Sequence, residues 1–557
     1  MKTIRCILLL LCINYSATHA QNNYNNHWLF GGGQNTNFNN NTIQNGGIPD
    51  PPIQNTYKLN YAGIHFHSAA SHSESGQLQF FINIPRINQG NGNYSKKLFY
   101  DKYGMPFPNG DIFISYYEYN NGNPLIVPHP TDSNQYYIFT CFNRGLQYSI
   151  ADMSLNNGLG DIDTLHKLIS IMPAGTALGN KMTITKSCNQ LYLIIRRSDT
   201  LGFNTFTINK NGIIHKPLFS NVSSQIPQAY FHPSNTIQTM KASSNGSLLA
   251  EATQFGLELY DIRPCDGSII NPRLIDTTYS LGACFSPNDK ILYSTRKEYK
   301  TDNFESSEIV QWDVSSPQNL DQIKQSAYVV LINSAHQYSG SPRTSAYMCD
   351  IMIGNDQKLY TLANLNYKYD WNPNPVFPST TVPDSQVMHI IHQPNTLGAG
   401  CMAARDAFSI KGNRQHRGGY FLPHPIYPVP KAIIDTQYNA PIALFNCFGK
   451  GNALQIPLQA SCIYWYNGAD TYILNTRDTG ILWVRYTIDC QWYIDSFRIT
   501  DVPVPKIPQT IMACENNEKI RLQHPKSTLP YHYRLQHTEY GWERKGNTNT
   551  QDSIWQI

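Results

Sequence analysis

The sequence predicts an all-β chain, with an N-terminal β-propeller of about six or seven blades followed by small β-sandwich modules. Three observations predict it. Apolar residues at the three-and-four spacing of a helix are scarce, while short runs of Tyr, Ile, Val, Leu and Phe bounded by Asn, Gly, Asp, Ser and Pro recur throughout. A pattern of polar turn followed by apolar strand appears six times. Near Pro430 the texture turns proline-dense, and beyond it the pattern stops.

The six copies are SESGQLQFF (73–81), TDSNQYYIF (131–139), SCNQLYLI (187–194), SNGSLLAE (244–251), SPNDKILYS (286–294) and GNDQKLYT (354–361). With Leu78, Tyr136, Leu191, Leu248, Leu292 and Leu359 taken as equivalent points, the spacings run from roughly 44 to 67 residues, near the period of propeller blades. A second strand type follows several copies: GLQYSIADM (145–153), FNTFTIN (203–209), LELYDI (257–262) and IVQWDV (309–314). Each copy therefore holds at least a hairpin, reversed by Asn, Asp or Gly in the turn. A propeller closes such units in a ring and leaves only short edges. A linear solenoid would expect shorter and more regular repeats.

Residues 1–20 read as a cleavable secretory signal: Lys2 and Arg5, an apolar run from Ile7 to Ile13, then Thr18 and Ala20 before Gln21. The run is far shorter than the roughly 20 residues that span a bilayer, so membrane insertion is not expected. Leu residues precede Cys12 where lipidation would require a small one. Charged residues are 14% of the chain and the net charge is +4 with no basic run, which argues against nucleic acid as a partner. Ten cysteines follow the signal, compatible with local bridges in an oxidising compartment.

The propeller is expected over 21–430, with a linker over 431–442. From 443 to 500 a small β-sandwich is expected from Cys447, ALQIPL (453–458), YWYNG (464–468), YILNTRDTGILWVRYTIDC (472–490) and YIDSFRIT (493–500), with Trp465 central. Cys447 and Cys490 are expected to form a disulfide worth a few kcal/mol in the chain-entropy picture; the alternative is two unpaired small hydrophobes. Residues 501–557 read as the start of a second module, in which Cys514 mirrors Cys447 but has no later cysteine to pair with.

Several stretches together resemble large exported proteins of Bacteroidota that carry an N-terminal propeller and immunoglobulin-like or polycystic-kidney-disease-type modules, of the kind associated with gliding motility and type IX secretion. They are HWLFGGGQNTNF (27–38), LFYDKYGMPFPNG (98–110), YYIFT (136–140), YSIADMSLNNGLGDI (148–162), CFSPNDKILYST (284–295) and HQPNTLGAGC (392–401). The segment with Cys447, Trp465, DTGILWVRYTIDC (478–490) and DSFRIT (495–500) is similar to the modules. The resemblance implies a secreted or outer-surface protein, with a periplasmic location as the alternative. The C-terminal sorting domain usual in such proteins is not visible before Ile557.

The chemistry-bearing residues are few. His65, His67 and His72 form the densest histidine group, and alternation puts His65 and His67 on one strand face, yet only Glu74 could support them; surface histidines are the commoner reading, and no metal site is assigned. No G-x-S-x-G elbow occurs. Asp261 and Asp313 follow the equivalent aromatics Tyr260 and Trp312, and that recurrence favours a structural role within each repeat. The glycines at 31–33 and the GAGC segment at 398–401 read as turns, and Cys401 is expected to be buried or bridged. No catalytic residue and no cofactor are expected.

Abundant aromatics on a weakly charged surface suit recognition of carbohydrate or protein, although most of them are expected to fill the blades. The leading expectation is therefore a non-enzymatic exported or cell-surface binding or adhesion protein, with the propeller as platform, the modules as spacers and an unknown protein or carbohydrate as ligand. A glycan-processing hydrolase with its site in the propeller channel, and a structural part of the surface or gliding apparatus, are the alternatives.

Overall fold

A computed structural model describes most of residues 64–502, with longer gaps at 86–93, 115–123, 229–238, 300–304, 335–344, 368–385 and 411–425, together with 27–30, 34–37 and four strands within 519–556. The export segment lies outside the described residues. The described residues are nearly all β, which meets the all-β expectation, and their arrangement is propeller-like. It divides into two compact units, 1–432 and 433–557.

Among the described residues of unit one, six successive antiparallel meanders follow one another, beside two two-stranded sheets. Sheet one runs Ile64–Ser71, Leu78–Pro85, Phe99–Asp101; sheet two Leu125–Pro128, Gln135–Phe142, Gly145–Asp152, with Asp161–Ile162 and Ile169–Met172 on its last strand. Sheet three runs Leu178–Lys186, Leu191–Arg197, Gly202–Asn209, with Gly212–Ile213 and Leu218–Asn221 outermost; sheet four Met240–Ala242, Leu248–Ala252, Leu257–Ile262, Ile269–Asp276. Sheets five (Ser280–Phe285, Ile291–Tyr299, Glu305–Asp313, Tyr328–Ser334) and six (Ser345–Ile353, Leu359–Tyr367, Gln386–Ile391, Ala403–Ile410) are linked by a single parallel bridge between Glu305 and Ser345. All six copies of the turn-plus-strand pattern fall on the second strand of successive sheets.

The first strands of consecutive sheets lie against one another from sheet one to sheet six. Turn chemistry explains the hairpins: Gly246, Asp289 and Gln357 each take a left-handed backbone in the turn between first and second strands. At Gly246 an added Cβ would also stand 2.0 Å from the Lys186 carbonyl of sheet three, so the turn needs glycine for both reasons.

Apolar cores fill the spaces between sheets. Tyr137, Leu146, Ile184, Leu193 and Phe206 join sheets two and three, and Leu248, Leu259, Phe285, Leu292 and Trp312 join four and five. Polar contacts repeat as well. Tyr192 on sheet three donates to the Pro264 carbonyl of sheet four at 2.9 Å, and Tyr293 on sheet five donates to the Pro394 carbonyl of sheet six at 2.9 Å. Each tyrosine sits on a second strand and reaches the loop between the third and fourth strands of the next sheet. After sheet six the chain returns to the early sheets: Ile426 packs into the core of sheets one and two, and Tyr427 against that of two and three.

Unit two has a five-stranded sheet in the order Thr436–Tyr438, Gln491–Val502, Gly480–Ile488, Ser461–Trp465, with Ile442–Cys447 also paired in parallel to Gln491–Val502. A two-stranded sheet, Asn452–Gln455 with Ile473–Thr476, contributes Leu454 and Leu474 to the same core as Ile463, Trp465, Leu482, Val484, Tyr486, Phe497 and Ile499. The buried Trp465 indole donates to the Thr471 carbonyl at 2.7 Å, which removes the cost of an unpaired buried N–H. Further on, Lys519–Gln523 pairs with Asp552–Gln556 and Tyr531–Gln536 with Glu543–Thr548.

Candidate functional site

Among the described residues of unit one, two buried clusters of ionisable side chains bridge sheets. Between sheets three and four, Lys181 Nζ lies 3.2 Å from Glu251 Oε1 and Arg196 Nε lies 3.8 Å from Glu251 Oε2, all three removed from solvent. Glu251 faces Glu258 across neighbouring strands, and the Tyr260 hydroxyl donates to both carboxylates. Burial pushes the Glu258 carboxyl up, against hydrogen bonds from Ser224, Tyr260 and the Gln225 amide. Two convergent carboxylates are what glycoside cleavage needs. Here both are sealed in the interior, with Lys181 and Arg196 of sheet three facing Glu251 of sheet four.

The second cluster lies where the first strands of sheets four, five and six meet. Lys241 Nζ stands 3.5 Å from Asp350 Oδ2, both buried, so the pair joins sheet four to sheet six alongside sheet five. Cys284 of sheet five sits beside them, and burial pushes its thiol up to about 12. At neutral pH such a thiol stays protonated and is a poor nucleophile. Asp289 is also pushed up by burial, though it accepts hydrogen bonds from the Ser244 amide, the Ser244 hydroxyl and the Asn245 amide. Burial raises the Tyr427 hydroxyl, with smaller charge effects from Cys284 and Asp289.

The residues singled out by sequence are dispersed. His65 and His67 lie on the first strand of sheet one, but their side chains and Glu74 are outside the described residues; His72 is in the following turn, where its Nδ1 accepts from the Ser75 amide at 3.3 Å. Among the described residues no group of three or more His, Cys, Asp or Glu is placed to hold a metal. Asp261 accepts from Arg273 and Asn271 on the adjacent strand and from Gln318; burial alone would raise it, yet these bonds hold it below the usual carboxylate range. Asp313 accepts from the Ser315 amide. Residues 31–33 lie outside the description, between strands His27–Phe30 and Gln34–Asn37, which pair antiparallel. Gly398–Cys401 is a short 3-10 turn, and Cys401 is buried and unbridged.

Cys490 and the side chain of Cys447 also lie outside the described residues. Cys462, which the expected pairing left out, is disulfide-bonded, as are Cys188 and Cys265 in unit one. Sequence reading missed the latter two, whose neighbours Ser187 and Pro264 are hydrogen-bonded across the contact of sheets three and four.

A candidate site open to solvent lies on unit two. Strand alternation places one side of the five-stranded sheet in the core and the other outward. Outward, one row across the strands reads Tyr438, Ile494, Arg485, Tyr464; the next holds Ser496 and Trp483; the third Ala443, Arg498 and Ile481. Tyr438 is 76% exposed, Ile481 67%, Tyr464 46% and Trp483 44%. Phe445, also exposed, follows on the edge strand. The Arg485 guanidinium lies over the Trp492 ring at 3.9 Å from its centroid, and Tyr464 flanks that ring at 6.4 Å. The cation is thereby held in place without losing its hydrogen-bonding edge.

No known protein family matches the chain, and no curated protein sequence does. Among solved structures it is similar to a putative 6-phosphogluconolactonase from Bacteroides uniformis, at 12% identity over 77% of this chain and 94% of the other, with a TM-score of 0.31. A quinonprotein alcohol dehydrogenase-like protein from Bacteroides thetaiotaomicron aligns at 9% identity over 72% of this chain and 78% of its own, TM-score 0.34. Hsv2 of Kluyveromyces lactis aligns at 9% identity over 56% and 94%, TM-score 0.27. Such likenesses carry no argument about what this chain does.

Proposed function

We propose that the chain is a non-enzymatic exported or cell-surface binding protein, in which six sheets close into a propeller that serves as a rigid platform and an immunoglobulin-like module presents the contact surface. The observation that carries this reading is the outward face of unit two, where Tyr438, Tyr464, Ile481 and Trp483 stand exposed on a hydrogen-bonded sheet. Large apolar groups gathered on one exposed face mark interaction sites, and aromatic rings offer rigid contact area with little entropy to lose. The engaged, buried state of the Glu251, Glu258, Asp350 and Cys284 side chains supports a role without chemistry. Export rests on the signal-like residues 1–20, and a Bacteroidota origin on the sequence resemblance.

The experiment is a glycan array probed with the mature chain and with Trp483→Ala. Binding of at least one glycan class, lost in the variant, is expected. No binding by the wild type, or equal binding by the variant, would contradict the reading.

A further inference from the structure

We propose that the outward face of unit two binds an acidic polysaccharide, whose sugar rings lie on the aromatic side chains and whose anionic groups meet Arg485 and Arg498. This names the ligand class of the binding face described above and rests on that reading.

Charge on the face is one-sided. Arg485 and Arg498 are both exposed, and among the described residues no carboxylate shares their side of the sheet. The two aspartates of the long strand face the other way and are already engaged: Asp495 accepts from Asn439 and from Tyr486 at 3.0 Å, and Asp501 accepts from Asn446 at 2.8 Å. An exposed, uncompensated pair of guanidinium groups favours an anion, and their planar forks match carboxylate or sulfate geometry.

Spacing and shape select the anion. Arg498 pairs with Ile481 and Arg485 with Ile494, so the arginines sit on adjacent strands four residues apart in register. That is roughly 13 Å along the strand direction. Trp483 occupies the row between them, paired with Ser496, so the order along the sheet is cation, indole, cation. A polymer that alternates a flat apolar ring face with a regularly spaced anion fits this order, and a polysaccharide of uronic acid or sulfated sugar has that chemistry. Duplex or single-stranded nucleic acid calls for a denser basic footprint than two arginines in a chain of net charge +4.

The test uses the full mature chain, with polygalacturonate and chondroitin sulfate as acidic probes, methyl-esterified polygalacturonate as a probe of the same backbone without charge, and single-stranded DNA as a competing polyanion. The expected result is binding of at least one acidic polysaccharide that weakens between 50 and 200 mM salt, about tenfold or more loss in the double variant R485Q/R498Q, and retention in R485K/R498K of more affinity than in the Gln variant. Thermal melts of each variant establish that it is folded. Equal affinity for the acid and its ester, unchanged by R485Q/R498Q, would overturn the acidic-ligand inference while leaving glycan binding intact. Tighter binding of DNA, or self-association lost in Trp483→Ala with no polysaccharide bound, would overturn it as well. Failure of every glycan to bind would remove both readings.

Discussion

Lys181 Nζ and Glu251 Oε1 meet at 3.2 Å in a region that water does not reach, joining the first strand of sheet three to the second strand of sheet four. Removing one partner of a buried pair leaves the other charge uncompensated, which costs more than the pair itself contributes. Glu251→Ala removes the carboxylate that both Lys181 and Arg196 face. The expected loss is about 3–5 kcal/mol of stability, read from denaturant melts. A loss within 0.5 kcal/mol would show that the cluster is not what joins these sheets.

The tyrosine contacts between sheets form a smaller, repeated contribution. Tyr192→Phe and Tyr293→Phe each remove a hydroxyl that donates to the carbonyl of the next sheet, and each is expected to cost about 0.5–1.5 kcal/mol. The sites share no partner, so the double variant should show the sum within experimental error. A coupling of more than 1 kcal/mol would mean that the two contacts report one shared rearrangement.

Cys188 and Cys265 are each disulfide-bonded, and beside them the Ser187 hydroxyl donates to the Pro264 carbonyl at 2.6 Å. We therefore expect the two to be joined to each other, tying sheet three to sheet four. Peptide mapping without reductant should recover one cross-linked pair of peptides containing both. In the chain-entropy picture the bridge is worth about 4 kcal/mol, so Cys188→Ser with Cys265→Ser should lower the melting temperature. Recovery of either cysteine as a free thiol would disprove the link.

Asp261 gives the acid limb of stability a definite sign. Its carboxyl is held below the usual range in the folded chain, so its contribution is fully present above the ordinary aspartate value and is lost as pH falls through the folded value. Urea melts from pH 5 downward should therefore fall less steeply for Asp261→Asn than for the wild type. Glu258 works in the opposite sense: its folded value is raised, so it costs stability as pH climbs from the ordinary glutamate value through the raised one. Parallel curves for Asp261→Asn and wild type would contradict the assignment of the carboxylate to Arg273.

What the sequence made legible was local. A turn such as SPNDK carries its own instruction, because Asp289 tolerates the left-handed backbone that the reversal requires, and so each copy marked a second strand wherever it stood. The alternation in ILWVRYTI likewise put Leu482, Val484 and Tyr486 inward and Ile481, Trp483 and Arg485 outward. Partners across sheets were not legible. Nothing near Lys181 in sequence announces Glu251, and nothing near Tyr464 announces Arg485; pairing of strands brings them together. The candidate face was missed for that reason, since sequence reading placed the platform in the propeller and treated unit two as a spacer.

The most direct test of the account is a titration of the mature chain with the glycan selected on the array, comparing wild type, Trp483→Ala and Tyr103→Ala, the last an exposed aromatic of unit one. If the outward face of unit two is the binding site, Trp483→Ala loses about 30-fold or more in affinity, the loss of a central aromatic anchor worth about 2 kcal/mol, and Tyr103→Ala binds as the wild type does. Wild-type affinity in Trp483→Ala, with loss in Tyr103→Ala, would place the contact on unit one and contradict the account.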